Sequence, residues 1–167
     1  MKVGPGTVAG NDIGPMINAP AIAKINRHVA DAVAKGATIL ARAEVPEGGQ
    51  YAAPVVLGNA SATMELAGEE TFGPVAPLFR FETEDEAVTF ANATPYGLAA
   101  YFYTESHKRA WRVGQALEFG MVGLNTGMVS TAVSPFGGVK QSGLGREGAR
   151  VGIDEYLETK AFHMAGL

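Results

Sequence analysis

Two adjacent carboxylates, Glu69 and Glu70, come just before a turn that carries an aromatic ring, Phe72-Gly73-Pro74. A carboxylate two residues from a ring has the chemistry to accept hydrogen bonds from a sugar hydroxyl while the ring covers a flat heterocycle. The alternative is a solvated turn, because Gly and Pro are common turn residues. The residues alone leave both interpretations open.

A second aromatic loop, Phe136-Gly137-Gly138, has the composition either to line a pocket or simply to pack. Farther on, Gly143-x-Gly145-x-x-Gly148 matches the dinucleotide-binding fingerprint in form. That fingerprint needs a strand immediately before it and an acidic residue about twenty positions later. Residues of loop type precede these glycines instead. The glycines are therefore expected to let a loop pass close to another backbone or to a ligand.

Other common chemistries lack their residues in this chain. It contains no cysteine, which excludes disulfides, cysteine-bound zinc and iron–sulfur clusters within it. His28, His107 and His163 are far apart, so no metal site is predicted. The Gly-x-Ser-x-Gly turn of serine hydrolases is also missing.

Composition is typical of a globular protein: 167 residues, of which 47% are hydrophobic and 18% charged. The formal net charge of −4 gives no reason to expect a nucleic-acid partner. No apolar run reaches the roughly 18 residues of a membrane span. The N-terminus also lacks the apolar core of a secretory signal. These features predict a cytoplasmic protein without a membrane or nucleic-acid partner.

Periodicity and turn residues predict an α/β fold with at least partly parallel strand pairing. Asn18 is the expected N-cap of the first helix, Gly36 its C-terminal stop, and Thr83 with Glu86 the capping box of a third helix. The predicted helices are 19–35, 62–67, 84–92, 105–119 and one from about 146; the predicted strands are 37–40, 53–57, 75–81, 98–103, 121–124 and a tail at 159–164.

Five stretches of the sequence, in order and spacing, resemble the aldehyde dehydrogenase superfamily. These stretches are Asp12–Asn18, Glu69–Val75, Asn92–Ala100, Gly123–Asn125 and Pro135–Gly148. Within the superfamily, four stretches look most similar to succinate-semialdehyde dehydrogenases: Ala99–Tyr103, Arg109–Val113, Gly138–Gly143 and Gly152–Leu157. The resemblance implies the C-terminal part of the catalytic domain over residues 1–145, an open and partly parallel sheet with flanking helices. Residues 146–167 would add a helix and an oligomerisation strand.

The resemblance also implies a reaction and site residues. The family oxidises an aldehyde to a carboxylic acid with NAD or NADP, through a cysteine thiolate and a glutamate base. By resemblance, Glu70 accepts hydrogen bonds from the nicotinamide ribose and Phe72 packs near the nicotinamide. Phe136 lines the aldehyde pocket. Ser130, or alternatively Thr131, contacts the substrate carboxylate.

The family's nucleophile, base and cofactor domain all precede the segment that this sequence matches. We therefore expect no catalytic residue in this chain and no activity from it alone. The alternative is a truncated paralogue that acts as an interaction or regulatory module. By resemblance, Lys160–Met164 is the oligomerisation strand, which predicts a homo-oligomer. The small-molecule partner that the resemblance implies is an aldehyde.

Overall fold

The computed structural model describes residues 1–166. They form two compact units, Met1–Phe81 (unit 1) and a second one from Glu82 onward (unit 2). The helices are α1 (Ala19–Ala34), α2 (Glu65–Gly68), α3 (Glu84–Asn92) and α4 (His107–Ala116), with 3₁₀ helices at Lys140–Ser142 and Val151–Tyr156. The strands are β1 (Thr38–Arg42), β2 (Val55–Ala60), β3 (Val75–Phe79), β4 (Ala99–Phe102) and β5 (Met121–Leu124). The predicted α/β fold is confirmed. No helix within residues 1–166 has the length and apolar character to cross a membrane.

Unit 1 is built on a three-stranded sheet in the order β1-β2-β3. Strand β2 pairs antiparallel with β1 and parallel with β3, so the expected parallel pairing is present. Strand β2 starts at Val55, two residues later than predicted, because Pro54 has no N–H to donate to a neighbouring strand. The central strand is the most buried one, with Leu57 completely inaccessible to solvent.

Helix α1 begins as its sequence predicts. The Asn18 side chain accepts a hydrogen bond from the Ala21 N–H at 2.9 Å, and Gly36 follows the helix in a left-handed conformation. Its apolar face contributes Ala32 to the core of unit 1. The other members of that core are Ala37, Val55, Leu57 and Met64. Burial against the sheet therefore fixes the rotation of α1 and decides which of its side chains face residues 63–71.

Unit 2 contains the parallel pair β4-β5 and the helices α3 and α4. Thr83 caps α3 as predicted, because its hydroxyl accepts from the Glu86 N–H at 3.2 Å, whereas the Glu86 carboxylate accepts from the N–H of Glu82 rather than of Thr83. Helix α4 ends at Ala116, three residues earlier than predicted. There the Asn92 side chain donates to the Ala116 carbonyl and accepts from the Glu118 N–H, which draws the chain out of the helix.

The C-terminal region differs most from prediction. The helix expected from about Arg146 starts only at Val151 and is 3₁₀, since Gly145, Gly148 and Ala149 all have left-handed backbones. Residues 157–166 pair with none of the strands β1–β5. The oligomerisation strand at Lys160–Met164 stays a prediction, because its partner would lie in another subunit. The domain division at 145/146 also stays a prediction and does not coincide with the boundary between the units.

An ion-pair network joins α3 to α4. Glu84 accepts hydrogen bonds from Arg109 Nε at 2.8 Å and from Arg112 through both Nε and Nη2. The hydrogen bonds from Arg112, followed by those from Arg109, lower the pKa of Glu84 from 4.5 to about 2. A depressed carboxyl pKa stabilises the folded state above about pH 4.5, and the stabilisation disappears as the pH falls toward 2.

We expect Glu84→Gln to have a lower melting temperature than the unchanged chain at neutral pH. The difference in melting temperature should shrink as the pH falls from about 4.5 to 2. Melting temperatures measured by circular dichroism across that range test this. Glu105→Gln is the matched control, because Glu105 is an exposed carboxylate of the same unit with no ion pair within residues 1–166. A difference in melting temperature between Glu84→Gln and the unchanged chain that stays constant with pH would contradict the expectation.

Candidate functional site

The two carboxylates of the Glu69-Glu70 pair have different environments. Glu69 is held by the side chains of α1: Arg27 Nη2 donates to its Oε2 at 3.0 Å, and Lys24 Nζ lies 3.3 Å from its Oε1. The hydrogen bond from Arg27, and next the one from His28, lower the pKa of Glu69 to about 2. Glu69 is therefore an anchor that stays ionised.

Glu70 is exposed and has no hydrogen-bond or ion-pair partner among the described residues. Phe72, two residues on, has 76% of its surface exposed and a φ of 45°. A bulky side chain at positive φ is a backbone outlier that the surrounding structure has to maintain. The segment thus presents an unpaired carboxylate and an exposed ring, the two groups that the sequence predicts for cofactor contact.

Beneath this segment lies His28, whose side chain is completely buried. Its Nδ1 is 3.0 Å from the Thr71 hydroxyl and its Nε2 is 3.1 Å from Glu69 Oε2. A neutral ring with the proton on Nε2 satisfies both contacts, since Nε2–H donates to Glu69 and the Thr71 hydroxyl donates to Nδ1. One imidazole therefore binds the residues on both sides of Glu70.

His28, Glu65 and Glu69 also bring three potential metal-ligand atoms within 4.8 Å of one another. The Arg27 guanidinium contacts both carboxylates of this group, and Lys24 contacts Glu69. These cations already neutralise the acidic groups. The arrangement has the chemistry of a salt-bridge network rather than of a metal centre.

The predicted pocket residue Phe136 lies in unit 2 on a tightly held loop. Its N–H donates to the Glu147 carbonyl at 2.8 Å, and the Glu147 N–H donates back at 2.7 Å. Arg146 Nη1 donates to the Gly138 carbonyl at 2.8 Å. The half-buried ring lines a cleft of about 320 Å³. The loop that carries Phe136 is therefore positioned by backbone contacts on both sides of it.

Glycines allow this loop to approach β4 and β5. The Gly97 carbonyl accepts from the N–H groups of both Gly120 and Val139, at 3.0 Å each. A Cβ at Gly120 would overlap the Gly137 carbonyl oxygen and lie 2.9 Å from the Gly138 Cα. No side chain fits at residue 120 without moving the loop.

Ser130 and Thr131, the predicted substrate-carboxylate contacts, are both exposed. Thr131 lines a cleft of about 410 Å³ at the end of β5. Ser130 lines neither this cleft nor the one at Phe136. The structure thus brings Glu70 and Phe72 together in unit 1 but places Thr131 and Phe136 in separate clefts of unit 2. The roles of all five site residues stay predictions.

Sequence reasoning missed the α1 residues that hold Glu69 and Thr71. The sequence does carry a signal for these residues, which is a row of polar side chains along one face of the helix. The row of apolar side chains on the same helix is the stronger pattern, so periodicity points to the core rather than to the polar face. The polar row consists of Lys24, Arg27, His28, Asp31 and Lys35. A spacing of three and four residues places these side chains on one face of a helix.

Comparison with known proteins gives a consistent result. Residues 1–162 match the aldehyde dehydrogenase family. The chain is 49% identical over 161 residues to the succinate-semialdehyde dehydrogenase [NADP(+)] of Escherichia coli K12, covering 96% of this chain and 33% of that protein. It is also 49% identical over 160 residues to the glutarate-semialdehyde dehydrogenase of Pseudomonas putida, again covering 96% of this chain and 33% of the relative.

The fold matches solved structures equally well. The crystal structure of an aldehyde dehydrogenase from Brucella melitensis superposes with a TM-score of 0.92 at 57% identity, over 96% of this chain and 33% of that one. The chain thus spans about a third of the length of the proteins that it matches.

Proposed function

Since this chain belongs to the aldehyde dehydrogenase family, we propose that it is the C-terminal part of a dehydrogenase that oxidises a short semialdehyde to a carboxylic acid. Succinate semialdehyde is the proposed substrate, and NAD or NADP the cofactor. The observation that supports the proposal most directly is that the adjacent carboxylates Glu69 and Glu70 have different environments. Glu69 is fully engaged by α1, whereas Glu70 is exposed without a partner beside an exposed ring.

The residues of this segment fit a pyridine nucleotide. Glu70 offers an ionisable acceptor to the hydroxyls of the nicotinamide ribose, and Phe72 offers an aromatic face to the nicotinamide. When bound, the nucleotide supplies the hydride acceptor of the oxidation. Binding the exposed ring of Phe72 would also remove apolar surface from water. This chain would thus bind and orient the nicotinamide half of the cofactor.

On the substrate side, Phe136 would line the aldehyde pocket. Ser130 or Thr131 would donate a hydroxyl hydrogen bond to the acid end of the substrate. The names of the relatives support a substrate with a carboxylate, because succinate and glutarate semialdehydes both carry one. A hydroxyl donor matches such a group without adding a charge to the loop.

The chain contains no cysteine, so a thiolate nucleophile would have to come from elsewhere in a longer protein. The same holds for the glutamate base and the nucleotide-binding domain that the family uses. We place the protein in the cytoplasm as a homo-oligomer joined through Lys160–Met164, with no nucleic acid and no membrane as partner.

The purified 167-residue chain is expected to produce no NADH or NADPH from succinate semialdehyde, because acyl transfer to a thiol has no path without one. Absorbance at the wavelength of the reduced nicotinamide measures this directly. The complete Escherichia coli relative serves as the positive control in the same assay. Production of reduced nucleotide by the chain alone would contradict the proposal.

A chimera tests whether this chain can complete an active dehydrogenase. In the Escherichia coli succinate-semialdehyde dehydrogenase [NADP(+)], the third that matches this chain is replaced by the chain itself. We expect the chimera to reduce NADP with succinate semialdehyde, and Glu70→Ala in it to weaken NADPH binding. A folded chimera that binds NADPH but oxidises no succinate semialdehyde would refute the proposed function and favour an interaction or regulatory module.

A further inference from the structure

We propose that helix α1 is a positioning clasp for Glu70 and Phe72, and that His28 is the positioning residue that sets nucleotide affinity. The proposal rests on the function proposed above. The α1 clasp is defined as the polar face of the helix together with its C-cap residue, and it consists of Lys24, Arg27, His28, Asp31 and the C-cap Lys35.

The clasp holds the chain over residues 63–71, beginning far from Glu70. Lys35 Nζ donates to the Thr63 carbonyl at 2.8 Å. Four residues earlier on the helix, Asp31 Oδ2 accepts from the Glu65 N–H at 2.8 Å. Lys35 and that N–H together keep the pKa of Asp31 below its ordinary value, so it remains an acceptor. These contacts fix where the segment leaves the core of unit 1.

At the other end the clasp determines which way Glu70 points. His28 holds both Glu69 and Thr71, and Glu69 has an extended backbone. Side chains alternate between opposite sides of an extended chain. With its two neighbours bound to the same imidazole, Glu70 is expected to be directed away from the helix, in agreement with its exposure to solvent.

The clasp ends in the strained turn at Phe72. A Cβ at Gly73 would lie 2.6 Å from Ile25 Cγ1, so the backbone after Phe72 packs directly on α1. The Ile25 side chain that this backbone meets is itself buried. Contacts with α1 on both sides therefore hold Phe72 at a positive φ with its ring in solvent. Such a preorganised segment binds a ligand with less loss of entropy than a mobile one.

Thr71 provides the sharpest test, because its hydroxyl contacts His28 and no part of it needs to touch the cofactor. In the chimera described above, Thr71→Val keeps the side-chain shape but removes the hydroxyl. We expect it to raise the Kd for NADPH, measured by nucleotide fluorescence, about five- to tenfold. The KM for succinate semialdehyde should not change. Thr71→Ser restores the hydroxyl and should stay within about twofold of the parent.

Two further variants separate positioning from general stability. His28→Gln retains a donor for Glu69 but not the paired contact, so it should raise the NADPH Kd as Thr71→Val does. Glu84→Gln breaks a similar arginine–glutamate network in unit 2 and should lower the melting temperature without changing the NADPH Kd.

Equal NADPH affinities for Thr71→Val, Thr71→Ser and the parent, with a lower melting temperature for the valine variant, would show that the clasp is only structural. An equal loss of affinity in Glu84→Gln would overturn the proposal as well, since that network lies outside the clasp. An unmodified chimera that folds and binds NADPH but oxidises no succinate semialdehyde would instead refute the proposed function, on which the clasp rests.

Discussion

Replacing Gly120 by alanine is expected to destabilise unit 2 by about 3 kcal/mol, at the upper end of the usual cost of overpacking. The added methyl group would overlap the Gly137 carbonyl oxygen and approach the Gly138 Cα to 2.9 Å. Both neighbours are backbone atoms, so no side-chain rotation relieves the clash. The loop must shift, and Phe136 next to it would shift as well.

Urea denaturation followed by circular dichroism measures this effect. Gly114→Ala is the matched control, since a Cβ there meets no atom within 4 Å and residue 114 lies inside α4. Alanine in a helix interior should stabilise by about 0.5–1 kcal/mol relative to glycine. If Gly120→Ala were as stable as the unchanged chain, or were stabilised as Gly114→Ala is expected to be, the close approach at Gly120 would not exist in solution.

The second large effect is expected in unit 1, where Leu57→Ala should cost about 2–5 kcal/mol. Leu57 is 0% exposed on the central strand β2 and packs with Val55, Ala32 and Met64. Truncation removes buried methyl groups and leaves a cavity. The flanking strands constrain how far the sheet can close around that cavity.

Leu78→Ala on strand β3 is the control for this experiment. It makes the same chemical change on a side chain that is 50% exposed. Its cost should stay below about 1 kcal/mol, because surface substitutions rarely exceed that. Both variants can be compared by their urea midpoints at constant slope. Equal losses for Leu57→Ala and Leu78→Ala would contradict the core assigned to unit 1.

Several elements follow from the sequence because their determinants are local. Asn18 caps α1, Thr83 caps α3, and Met121–Leu124 forms a strand with its predicted ends. Capping depends on a side chain and a backbone N–H that lie two or three residues apart. Such signals do not need the rest of the fold, and they can be read directly from the residues.

The two misplaced helix boundaries in unit 2 depend on a distant residue and on backbone strain. Helix α4 stops at Ala116 because Asn92, more than twenty residues away in the chain, bonds to its last turn. The helix expected at Arg146 is delayed to Val151 by left-handed residues, one of which is Ala149. Alanine is the best helix former, so no propensity argument predicts that conformation.

The candidate site likewise combines features that follow from the local sequence with features that depend on distant residues. The family resemblance, the α/β class and the choice of Glu70 and Phe72 could be predicted, because they depend on residue types at fixed spacing. That Glu69 is held by α1 and that His28 is buried beneath Glu70 became clear from the folded chain alone. Those contacts span 41 and 43 positions of sequence. They form because burial of the apolar face of α1 against the sheet turns its polar face toward that segment.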